Sequence, residues 1–408
     1  MSRDSVNNPA PVPAPAPKTQ LLEIVLLWIA GVSTAMQFAK FSVSYDAVLQ
    51  HYQTSATMTG MALSILGVAG LMFGVFGGII ASRVGYLKVL MGALLLGGLL
   101  SFIQSLLPNF TLLIITRLIE GFSQLGVVVT APTLIAKLSA PQHRSLSMGL
   151  WATFFGVAFA VSGWLGKAIL DQYGLSELFF SHGVLITSMA VILYFLLRNN
   201  PVLNIEPVAV NQGSFLRQMA RVYRNPRSLL PSVVFLFYTC TLVSLLTYAP
   251  RLVDDAKLQA LLMVCLPLVS TCGTFLAGAL AQYVMRPQHV ALMAYSGIGI
   301  SALTLSSLLD QPIVFGLAVG VLILFLGMVS GASMAMIPAL ARNPSEQAQS
   351  YGLIAQFGNL GGTIGPPSFA LLISLYGIYG LVSLVLLICS LGIVFSFLAN
   401  RIKSTESV

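Results

Sequence analysis

Twelve apolar stretches follow one another along the chain, at 21–45, 57–81, 88–107, 111–136, 146–170, 178–197, 228–250, 258–282, 289–309, 313–338, 349–374 and 377–400. A helix needs about 20 apolar residues to cross the hydrocarbon core of a bilayer, so each stretch predicts one membrane-spanning helix. The polar breaks between them are short, except for the run from Arg198 to Arg227, which divides the helices six and six. The pattern therefore predicts an all-α membrane protein with twelve transmembrane helices. Its expected parts are a disordered tail over 1–20, six-helix bundles over 21–198 and 228–400, a linker over 199–227 and a second tail over 401–408. The first tail carries a Pro-Ala-Pro-Val-Pro-Ala-Pro-Ala-Pro run, which predicts an extended arm without packed structure.

The two halves echo each other. Ser147–Phe154 opens the fifth stretch and Ser350–Phe357 the eleventh, 203 residues later, with five of eight positions identical. Matching segments at matching places predict two pseudo-symmetric bundles, the build of a transporter that alternates its access.

Composition agrees with a membrane setting: 57% of residues are hydrophobic and 8% charged, too few charges to cover a water-soluble protein of 408 residues. Charge then sets orientation. Fifteen of the twenty Lys and Arg fall on the side of the two termini and three on the other, which predicts cytoplasmic termini. The net charge of +8 thus reflects topology and implies no nucleic-acid partner. The basic run Arg217–Arg227 is expected to lie along anionic membrane lipid. Cys240, Cys265, Cys272 and Cys389 sit inside apolar runs and read as small core residues. His51, His143, His182 and His289 are scattered, mostly at loop edges, so no metal site is expected. No Gly-rich phosphate loop is present, and no cofactor or enzymatic activity is expected.

Candidate chemistry centres on the fourth stretch, where Arg117 and Glu120 are the sole charges between Leu112 and Ile135. A charge at this depth persists where it is paired or faces a wet cavity, and the spacing of three puts both on one helix face. Gln124 extends that face by a turn, and the first stretch contributes Gln37 and Lys40. At 1.5 Å per residue, Lys40 and Arg117 each fall about 9 Å to the outer side of the midplane, and Glu120 about 4–5 Å. Two cations and one carboxylate at similar depth favour a small anion. Tyr238, Tyr248, Gln356 and Asn359 of the second half are the expected contacts across the cleft, though each could equally be a hydrogen bond between helices.

Gly78-Ile79-Ile80-Ala81-Ser82-Arg83-Val84-Gly85-Tyr86-Leu87-Lys88 resembles the signature loop of the major facilitator superfamily, matching it at Gly78, Ala81, Arg83 and Gly85 with a cation at Lys88. The resemblance implies a gating role for these residues. The family usually has Asp where this chain has Ser82, in a charge network that latches the halves on the cytoplasmic side; the neutral Ser82 implies a weaker latch. Arg117-Leu118-Ile119-Glu120-Gly121 looks like the family's Arg-x-x-x-Gly motif, whose Arg is implicated in proton coupling. Val161 stands where antiporter members usually have Pro, and Gly365-Pro366 in the eleventh stretch suits bending or gating. With Ala131–Ile135 and Gly149-Leu150-Trp151, these motifs are similar to bacterial permeases of the cyanate and nitroimidazole type.

The expectation is a monomeric secondary transporter of the bacterial inner membrane. It moves a small, anionic organic solute, with protons taken up through Glu120 and Arg117 tuning that carboxylate. The alternative is a proton-driven exporter of drugs, metabolites or siderophores.

Overall fold

Inside a bilayer no water is present to satisfy peptide groups, so each apolar run must close its hydrogen bonds along itself as a helix. A computed structural model describes residues 19–200, 203, 222–342 and 344–402. The expected tails over 1–20 and 401–408 and the linker with its basic run Arg217–Arg227 lie largely outside the described residues. Spans one to four are Leu21–Val43, Ala56–Ser64 continued by Gly67–Val84, Tyr86–Ser105 and Phe110–Leu138. Span five occupies 144–173 in several pieces, and spans six to eight are Leu175–Leu197, Pro226–Tyr248 and Ala256–Tyr283. Spans nine to twelve are Pro287–Leu305, Pro312–Leu340, Pro344–Tyr376 and Ile378–Asn400.

Among the described residues nine helices are long and apolar enough to cross a membrane, and bent span two makes a tenth. Spans nine and eleven complete the twelve; polar residues such as Gln288 and His289 in one, and Gln347, Gln356 and Asn359 in the other, dilute their hydropathy.

Local chemistry sets the ends. Ser55, Asn109 and Asp255 accept backbone N–H groups at the starts of spans two, four and eight. Proline opens spans seven, nine and ten, where its missing N–H has no helical partner to lose. Gly85, with φ +104°, makes the turn between spans two and three, a conformation other residues adopt at a cost.

Three features depart from the even pattern expected. Span two bends by 46° at Ile65-Leu66. Span five breaks at Thr153 and holds a π turn over Ser162–Gly166. A short helix, Tyr45–Tyr52, follows span one. Cys240 and Cys389 are buried as expected, whereas Cys272 is exposed, on the outward side of its helix.

At the end of the first half nearest residue 19, an apolar core packs Ile24, Leu27, Leu90, Leu94, Leu134 and Ile186 together. The polar interior lies above it, toward the opposite face. There the halves meet closely: the backbone of span five at Gly156 and Gly163 abuts Pro267 and Met263 of span eight. Small residues let such helices approach where no water is squeezed out to drive them together.

Candidate functional site

Span one brings Lys40 to within three residues of its far end, and span three brings Gln104 one residue from its own. Spans four and six run inward from the same face, so Arg117 and His182 each enter at the seventh residue after the helix start. Four helices thus deliver their polar groups to one level. Lys40 Nζ donates to Ser101 Oγ at 2.8 Å, Gln104 Oε1 at 2.7 Å and Glu120 Oε1 at 2.8 Å. Glu120 Oε2 accepts from Gln104 Nε2 at 2.9 Å and from the Arg117 guanidinium. Lys40, Arg117 and Glu120 are all at most 1% exposed. Lys40 therefore turns into the bundle and not toward the outer headgroups.

His182, one of four histidines that read as scattered in the sequence, is 4% exposed and belongs to this cluster. Its Nε2 lies 2.9 Å from the Ser33 carbonyl, and its Nδ1 2.8 Å from Ser101 Oγ and 3.4 Å from Lys40 Nζ. A carbonyl only accepts, so the proton sits on Nε2 and the Nδ1 lone pair faces Ser101 and Lys40. Phe41 and Phe179, stacked 4.9 Å apart, cover the cations: Arg117 lies 4.0 Å from the Phe41 ring and Lys40 5.5 Å from that of Phe179.

Arg117 also explains the bend in span two. Where that helix breaks, its Ala62 and Leu63 carbonyls lie in the last turn before the bend, and Arg117 donates to them at 2.8 and 2.9 Å. One turn on, Gly121 lies so close to the Leu66 carbonyl that any side chain would collide with it. Arg117 and Gly121 together seat span two on span four. Ser64 assists by bonding back to Gly60 and across to the Thr363 carbonyl of span eleven.

The remaining expected substrate residues are divided. Gln37 is buried and bonded to Ser123 at 3.0 Å, beside the cluster. Gln124 is 9% exposed and, among the described residues, makes no hydrogen bond to it. Gln356 accepts from Tyr223 at 2.8 Å and reaches the Leu71 carbonyl of span two at 3.4 Å. Asn359 bonds to the Ala355 carbonyl of its own helix and packs against Gly70 of span two. Tyr248 is buried and donates to the Pro366 carbonyl at 3.0 Å, while Tyr238 is half-buried. Gly365 lies against the backbone of Cys240, joining spans seven and eleven. Arg83 and Lys88 are exposed on either side of the Gly85 turn. Gly78 and Ser82 lie in the second part of span two, and the Ser82 side chain is outside the described atoms.

A second group of contacts, unforeseen in the sequence, closes the face opposite residue 19. Arg251, in a turn after span seven, pairs with Asp46 at 2.7 Å and donates to the Ser42 carbonyl at 2.7 Å and to the Thr247 carbonyl. Ser42 and Thr247 hydroxyls bond at 2.8 Å, and Tyr45 meets Tyr248 edge-on at 5.1 Å. One cation therefore caps the last turns of spans one and seven together. The space directly beneath is walled by Ala39, Ser42, Phe159, Leu246 and Met263. Among the described residues, no group of three or more His, Cys, Asp or Glu gathers in a metal-binding arrangement.

The profile of the Major Facilitator Superfamily matches residues 27–366. Among curated proteins, the chain is similar to the inner membrane transport protein YajR of Escherichia coli strain K12, at 27% identity over 53% of this chain and 46% of that protein. It is also similar to the 3-(3-hydroxy-phenyl)propionate transporter of the same strain, at 24% identity over 87% of each chain. The match thus spans under half the length of the first relative and most of the second. Among solved structures, a bacterial homolog of the human lysosomal transporter Spinster, inward-facing and occupied, superposes with a TM-score of 0.76 at 14% identity, over 94% of this chain and 97% of that one.

Proposed function

This chain belongs to the Major Facilitator Superfamily, and we propose that it is a secondary active transporter that moves a small aromatic or related organic anion with protons across the bacterial inner membrane, by alternating access. The observation that carries this reading is the buried cluster of two cations and one carboxylate, Lys40 from span one with Arg117 and Glu120 from span four, at membrane depth. Such charges are expensive in a bilayer, and substrate or proton pathways are where they recur. The organic-anion class is supported by the similarity to a transporter of a hydroxylated phenylpropionate.

The charge count supplies a coupling mechanism. With Glu120 ionised, the three groups sum to one positive charge; a proton on Glu120 leaves two cations facing a neutral acid. An anion in the adjoining cleft is then attracted more strongly, because unit charges a few ångströms apart interact by several kcal/mol when partly desolvated. Linkage makes the effect mutual, so the bound anion favours the bound proton. Lys40 and Arg117 act on the substrate through this field, since their charged groups are already engaged inside the bundle, and Gln37 stands beside them. Gln124 and Tyr238 are assigned as contacts in the cleft. Gln356, Asn359 and Tyr248 join them when spans two and eleven separate, with Gly78, Ser82, Arg83, Gly85, Lys88, Gly365 and Pro366 at the moving elements. The protein works as a monomer in lipid, with both termini in the cytoplasm.

Purified protein in proteoliposomes is expected to take up radiolabelled 3-(3-hydroxyphenyl)propionate or a related aromatic acid, faster with a pH gradient than without. Glu120→Gln is expected to lose that acceleration while exchange without a gradient continues. Export of neutral or cationic drugs, untouched by aromatic acids, would favour the exporter reading. Full gradient-driven transport by a well-folded Glu120→Gln protein would remove Glu120 from the mechanism.

A further inference from the structure

Span one carries Ser33, Thr34, Gln37 and Lys40 at spacings of one, three and three, a polar stripe on one helix face. Most of that stripe is satisfied. The Ser33 hydroxyl bonds to the Ile29 carbonyl, its own carbonyl holds His182, and Gln37 Nε2 donates to Ser123 Oγ. Thr34 Oγ1 and Gln37 Oε1 are different. Neither has a hydrogen-bond partner among the described residues, and both residues are fully buried at 0% exposure. They lie one turn apart on the same helix face. Buried polar groups are otherwise nearly always bonded, and a water that meets two to four of them is the usual remedy.

Across from Gln37 stands Gly97 of span three, where an added Cβ would collide with Ser123 Oγ, Gln37 Nε2 and Ile186 Cδ1, so this glycine lets span three pack closely on its neighbours. The position of the pair beside the charged cluster fits an occupant. Ser123, which Gln37 holds, lies one turn beyond Glu120 on span four. The stripe thus continues the charged cluster away from the outer face, toward the middle of the membrane. Groups facing this cluster are Lys40 from span one, Arg117 and Glu120 from span four, and His182 from span six; span three contributes the uncharged Ser101 and Gln104.

We propose that Thr34 and Gln37 hold a water molecule that is the port through which protons reach the Lys40–Glu120 cluster. The water takes a proton on one side and releases another on the cluster side, so it is itself unchanged. The proposal rests on the proton-coupled reading above and deepens it. It is separable from that reading, because Glu120 could exchange protons by another path.

The test is a time-resolved infrared measurement on full-length protein in lipid nanodiscs after a rapid drop in bulk pH. The Glu120 carboxylate band is identified by its loss in Glu120→Gln. In the unaltered protein the band is expected to respond, and in Thr34→Val and Gln37→Leu to respond about tenfold more slowly, the effect on a barrier of losing one ordinary hydrogen bond. Thr34→Ser, which restores the hydroxyl, is expected to restore the rate. Unaltered kinetics in both Thr34→Val and Gln37→Leu would overturn the port while leaving proton coupling standing. A Thr34→Ser protein as slow as Thr34→Val would also overturn it, since packing and not the hydroxyl would then set the rate. A Glu120 band that ignores bulk pH in the unaltered protein would overturn the coupled reading and the port together.

Discussion

Arg117 does two jobs with one guanidinium: it pairs with Glu120 and it caps the carbonyls of Ala62 and Leu63 at the bend of span two. A planar fork with several fixed donors can do this, and an ammonium on a flexible stem cannot. Arg117→Lys is therefore expected to keep the charge yet lower the melting temperature in detergent. Arg117→Ala, which leaves a buried carboxylate short of a partner, is expected to lose about 3–5 kcal/mol of stability. Equal melting temperatures for Arg117→Lys and the unaltered protein would show that the carbonyl contacts carry no weight. In the sequence the pairing with Glu120 was legible, because three residues on a helix always face the same way. The contacts with span two were not, because they depend on where a second helix breaks.

Helix ends offer a cleaner test of local chemistry. Asp255 stands outside the membrane at the start of span eight, where backbone N–H groups of Leu258 and Lys257 hold its carboxyl below the usual carboxylate range. A depressed folded pKa contributes stability that is present above the unfolded pKa and lost as pH falls through the folded one. Acidification through the carboxylate range is therefore expected to lower the protection of the Leu258 amide against hydrogen exchange, relative to the intrinsic rate at each pH, read by mass spectrometry. Asp255→Asn, an equally good cap without a titrating proton, should abolish that pH dependence. Persistence of the dependence in Asp255→Asn would assign it to another group. The helices themselves were plain in the apolar pattern. The bend in span two and the π turn in span five were not, since both arise from packing against neighbours and no Pro marks either place.

At the level of the whole molecule, Arg251 joins the last turns of spans one and seven, and with Asp46, Ser42 and Thr247 it closes one face. Breaking it is expected to shift the population toward a state open on that face. Arg251→Ala should lengthen spin-label distances between the ends of spans one and seven, by pulsed electron resonance; a distribution identical to the unaltered protein's would exclude the latch. About 1 kcal/mol is enough to change the populations several-fold. Orientation has its own test. Cysteines placed in the Arg198–Arg227 loop should resist an impermeant thiol reagent on intact cells, whereas ones near Asp254 should react. Labelling of the loop from outside would reverse the topology.

From the sequence alone followed the membrane, the twelve helices and the superfamily, because each is written in the local periodicity of apolar residues and in short motifs whose chemistry is local. Arg117, Glu120 and Lys40 were also visible there as charges out of place in apolar runs. Tertiary structure decided what those charges touch. His182 joined them from a helix whose sequence gives no hint of its partners, Gln104 and Ser101 came from a third span, and Phe41 and Phe179 covered the result. Arg251 became a joint between halves only once spans one and seven met, 205 residues apart in sequence between its ion-pair partners. Contacts of this range depend on the angle and rotation at which helices pack. Those follow from the summed fit of many side chains, which no single stretch of sequence contains.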